Sequence, residues 1–111
     1  MAHRREVRRS ETLLEHARER FPPGGDPEGR ASFELFEQRP LRAVEDRLAL
    51  DFEGCPEAEP GLPVRIVATA HVPFFPAMTF YAVLITDDTV EILGFTIDEE
   101  YFDLIADDPT E

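Results

Sequence analysis

Two runs rich in β-branched and aromatic residues, 79–86 (TFYAVLIT) and 90–97 (VEILGFTI), lie on either side of Asp87-Asp88-Thr89. Such residues suit a pleated, half-buried surface, and a short polar break between two such runs favours an antiparallel hairpin. Asp-Asp is a weaker turn signal than Asn-Gly or Asp-Gly, so the flanking runs carry the prediction. Residues 64–71 add a third strand, in which Val64, Ile66, Ala68 and Ala70 alternate with Arg65, Val67 and Thr69. Three strands with one apolar face need a covering layer, and the rest of the chain must supply it.

The clearest covering element is residues 10–21, where Leu13, Leu14, Ala17 and Phe21 recur at helical spacing. Thr12 and Glu15 have the spacing of a capping box, and Pro22-Pro23-Gly24-Gly25 stops the helix. Asp98 is expected to cap a final short helix, with Ile97 and Phe102 as its hydrophobic staple and Tyr101, Leu104 and Ile105 on its apolar face. In residues 31–52 two periods compete. Ala31, Phe33 and Leu35 alternate as a strand would, while Asp26-Pro27 looks like a helix start. Leu41, Val44 and Leu48 share a helical face, yet Leu48, Leu50 and Phe52 also alternate; a helix over 40–50 is preferred, and 31–39 stays open. Residues 54–63, with three Pro and two Gly, read as a loop. The prediction is one α+β domain over 10–105, with an antiparallel sheet of three to five strands packed against two or three helices. Its C-terminal β-meander is followed by a short helix, and its core lies mainly in the C-terminal half. A flexible basic arm (1–9) and an acidic tail (106–111) flank it.

Length and composition agree with a single folded domain: 111 residues, 42% hydrophobic, nine Phe. No apolar run reaches the roughly 18 residues of a membrane span, the first ten residues have no apolar signal core, and the single Cys55 has no partner for an internal bridge. A cytoplasmic location without membrane contact is the expectation. Charge divides the chain. Residues 1–47 hold ten Arg against ten acids; residues 48–111 hold only Arg65 against fourteen acids, and so the whole formal charge of -13. That density repels nucleic acid, except through the arm carrying Arg4, Arg5, Arg8 and Arg9. Lys is absent throughout, which leaves two sources for the acidity, partner binding or salt adaptation of a whole proteome.

Asp87 and Asp88 lack the alternating oxygen ligands of a Ca²⁺ loop and read as a turn; Asp98, Glu99 and Glu100 read as the acidic first turn of a helix. His3, His16, His71 and Cys55 show no metal-ligand spacing, and no Gly-rich phosphate loop occurs, so neither metal nor cofactor is expected. A Cys55–His71 pair is a poor nucleophile, because an acidic loop raises the thiol pKa. The most unusual segment is His71-Val72-Pro73-Phe74-Phe75-Pro76-Ala77-Met78, an apolar connection where loops are normally polar. Either it folds over the edge of its own core, or Phe74, Phe75 and Met78 form a contact surface for another protein.

The run FYAVLITDDTVEIL within residues 79–97, with Arg65 near the opening of the preceding strand, resembles the strand-turn-strand part of RelE/ParE-type toxins of bacterial toxin-antitoxin pairs. The resemblance spans Leu13 to Ile105 at the level of element order. It implies a ribosome-dependent endoribonuclease, a gyrase inhibitor or an inactive relative, with Arg65 and Tyr81 as the residues that carry over. Ala82, Ile85 and Thr86 stand where ribonuclease members have basic or tyrosine residues, and one Arg among fourteen acids holds phosphate poorly. A non-catalytic protein-interaction or regulatory module is therefore the preferred reading, with the toxin-like one as its alternative.

Overall fold

The computed structural model describes residues 4–27 and 29–98. It is α+β. A four-stranded sheet in the order β1-β4-β3-β2 comprises β1 (Glu6–Arg9), β2 (Val64–Thr69), β3 (Met78–Thr86) and β4 (Thr89–Ile97). Helix α1 (Glu11–Arg20) and a second helical run pack on one side of it. That run consists of α2 (Phe33–Phe36), a π-helical turn (Glu37–Leu41), α3 (Arg42–Asp51) and a 3₁₀ turn (Phe52–Gly54).

The predicted hairpin is present: β3 pairs antiparallel with β4, and β2 pairs antiparallel with β3. Asp87-Asp88 makes the turn, and the Thr86 hydroxyl accepts from the Asp88 amide at 3.2 Å. Tyr81 pairs with Gly94 while Ala82 pairs with Ile92, which leaves Leu93 as an extra, bulged residue. The bulge lets both Ile92 and Phe95 face the core although three positions separate them.

The sheet is mixed, not antiparallel as expected, because β1 lies parallel to β4. This strand falls inside the segment expected to be a mobile arm. Its only apolar residue is Val7, so no hydrophobic alternation announces it. Arg9 and the preceding Arg5 are instead matched by carboxylates from the helical run: Arg9 bonds Glu45 at 2.9 Å and also Glu37, and Arg5 grips Glu53 through both terminal nitrogens. Ser10, rather than Thr12, caps α1; its Oγ accepts from Leu13 N at 3.0 Å and donates to the carbonyl of bulged Leu93 at 2.9 Å. One hydroxyl thus fixes where β1 ends, where α1 begins and how both sit on β4.

Residues 33–51 are helical. Ser32 caps the run by accepting from Leu35 N at 3.1 Å, and Phe33 and Phe36 turn inward at helical spacing. Leu50, which a strand would bury, is 52% exposed. Pro40 lacks the N–H that would close an α-helical ring, and the run widens there into its π turn. The core draws on both halves of the chain, which corrects the expected C-terminal bias. At its centre the fully buried Phe36 ring lies 5.1 Å from Phe21, 5.4 Å from Phe95, 6.1 Å from Phe80 and 6.4 Å from Phe75. Of the predicted C-terminal helix and its staple, only Ile97, buried at the end of β4, and Asp98 are described; the rest lies outside the described residues.

Candidate functional site

The unusual 71–78 segment turns over two residues. Phe75 N donates to Val72 O at 3.1 Å, and Val72 N donates to Phe75 O at 3.0 Å. Pro73 takes the first central position of this turn and Phe74 the second, with φ at +76°. That is the pattern of a type II turn, whose second central residue is normally Gly because a side chain strains the backbone at positive φ. Phe74 is the one non-glycine residue with positive φ among the described residues, and the strain costs about 1 kcal/mol or more. Its ring gains little in return, being 69% exposed. Phe75 points the other way, 2% exposed, with its ring edge-on to Phe21 at 5.3 Å; Met78 is fully buried. Of the three residues expected to form a contact surface, only Phe74 stands at the surface.

Beside this turn an apolar groove of about 540 Å³ opens between the helical run and β2. Pro40, Ala43 and Val44 form one wall, Val67–Ala70 the other, and Val72, Phe75 and Pro76 close the end. Ala43 is short on the helical wall, and Ala68 lines the groove with its backbone, its side chain leaving the sheet face opposite Val67 and Thr69, which pair with buried Phe80 and Met78. Arg39 and Arg47 also line it, and among the described residues no carboxylate does. Arg47 lies 3.6 Å from Asp51, whereas Arg39 has no ion pair among the described residues. The first half of the outer edge of β2 is already taken: Ile66 N donates to Pro56 O and Ala58 N donates to Val64 O. Strand alternation directs the N–H and C=O of Ala68 to that same edge, beyond the covered part and into the groove.

Arg65 and Tyr81 do not come together. Arg65 is opposite Ala82, a core residue, while Tyr81 is opposite Ile66, so the two side chains leave opposite faces of the sheet. Arg65 donates to the carbonyl of Cys55 at 2.7 Å and stacks over Phe52, whose ring also carries Arg5. Cys55 is 1% exposed; burial pushes its thiol pKa up, and Sγ donates to Asp51 O. His71 is exposed and His16 stacks on Phe95 at 4.4 Å. The Asp87 and Asp88 carbonyls accept from Arg5 and Glu6, which ties the turn to β1. Arg4, Arg5 and Arg9 of the basic cluster all pair with carboxylates. Among the described residues, no three His, Cys, Asp or Glu side chains are grouped to hold a metal, and no helix is long and apolar enough to cross a membrane.

The sequence pointed to the 71–78 segment but not to the groove. Pro40 inside a helical period was its one visible signal, since a proline there forces the backbone open. Comparison of the chain with protein-family models, with curated proteins and with solved structures yields no match.

Proposed function

We propose that this chain is a non-catalytic interaction module that holds Phe74 out as an anchor for another protein. One observation carries the reading: Phe74 occupies a glycine position in a tight turn while leaving most of its ring in water. Both features cost the isolated fold, and Gly at this position would remove both. Strained residues cluster at functional sites, and aromatic anchors dominate many protein contacts. The neighbouring residues support the same reading, since Val72 is also exposed and the apolar groove begins beside it.

The test is affinity capture from the source lysate with the wild-type chain and Phe74→Gly in parallel. A partner retained by the wild type and lost by a Gly variant that is still folded supports the anchor. Equal capture of the same proteins by both overturns it. The toxin-like alternative gains nothing from Arg65, which is tied to a backbone carbonyl on the face opposite Tyr81.

A further inference from the structure

We infer that the groove between α3 and β2 takes an extended, acidic segment of another protein as an added strand; this rests on the interaction reading above. Two independent features define the occupant. The first is backbone: among the described residues Ala68 has no partner for its outward N–H and C=O at the open half of an edge strand, the requirement for strand addition. An added strand alternates its side chains, so every second one enters the apolar groove and meets Pro40 or Val72. The second is charge. Among the described residues no Asp or Glu lines this groove, while Arg39 and Arg47 do, and Arg39 is unpaired among them. A surface that reverses the sign of its own molecule selects an acidic partner against the overall field.

The probe is the blocked hexapeptide Glu-Val-Glu-Val-Glu-Val, titrated into the ¹⁵N-labelled full chain, with a Lys-Val counterpart and a backbone N-methylated Glu-Val version as controls. The expected result is amide shifts centred on Ala68, Thr69 and Ala70. Affinity should fall at least about tenfold for the N-methylated peptide and for Arg39→Glu, and should weaken with salt. Binding of the Lys peptide as tight as that of the Glu peptide, equal binding of the N-methylated peptide, or no shifts at the groove would overturn the inference. So would groove amides that move with protein concentration alone, or in Phe102→Ser/Leu104→Ser without peptide, which would make the occupant a second copy or the chain's own end. The anchor proposal is judged separately, because it is tested through Phe74→Gly and the groove through Arg39→Glu.

Discussion

Phe75 packs against Phe21 and Phe36, so Phe75→Ala should cost about 3–5 kcal/mol in chemical denaturation, the range for deleting a buried aromatic ring. Phe74→Ala, one residue earlier, should change stability by no more than about 0.5 kcal/mol, because the exposed ring leaves no cavity behind. Similar losses for the two would place Phe74 in the core. Adjacent phenylalanines show what the sequence can tell at this scale: two bulky rings in succession do not easily point into the same core, but the sequence does not say which one turns inward, and here the residue at positive φ is the exposed one. Glu53 gives a second prediction. Hydrogen bonding to the Arg5 guanidinium holds its carboxyl below the ordinary carboxylate range. A group depressed in the folded state stabilises fully above its unfolded pKa, about 4.3, and that contribution is lost as pH falls through the lower folded value. Glu53→Gln should therefore be less stable than wild type at pH 7, with the gap closing in acid; a gap constant across pH would separate Glu53 from the titration.

Among the elements, the β3–β4 hairpin and β2 were legible because period-two alternation and β-branched residues mark one buried face. Strand β1 was not, because its stabilising contacts are ionic and backbone in kind and their partners, Glu37, Glu45 and Glu53, lie at least 28 positions away. Arg9→Met should loosen this strand, costing about 1 kcal/mol at low salt and less at high salt, as befits a partly exposed pair of bridges. Hydrogen exchange at residues 6–9 is the suitable readout, and unchanged protection would assign the strand to its backbone ladder alone. Residues 31–52 were ambiguous because Ala31, Phe33 and Leu35 alternate as a strand while Asp26-Pro27 looks like a helix start, and Leu48 fits either period; Ser32 as a cap settles the outcome locally. Pro40 apart, the groove left no mark in the sequence, since residues from distant elements form it together.

At the scale of the molecule, the arginines of the first half are largely matched. Arg4, Arg5, Arg9, Arg30, Arg42 and Arg47 each face a carboxylate, and residues 1–47 balance ten Arg against ten acids, so the excess of negative charge belongs to residues 48–111. Salt screens that repulsion over a Debye length of about 8–10 Å, and it weakens exposed bridges that are each worth little. The balance favours screening, and Tm should rise by a few degrees between low salt and about 0.5 M. A fall would show that the local pairs outweigh the long-range repulsion. The helices cover one face of the sheet, the Phe36 cluster holds the two layers together, and Phe74 stands outside that cluster on a strained turn. The direct test of this separation between fold and contact is the unfolding free energy of Phe74→Gly against wild type. The account predicts a gain of about 0.5–1 kcal/mol from relief of the strained φ; a loss of stability would show that the Phe74 ring serves the fold and would contradict its role as an anchor.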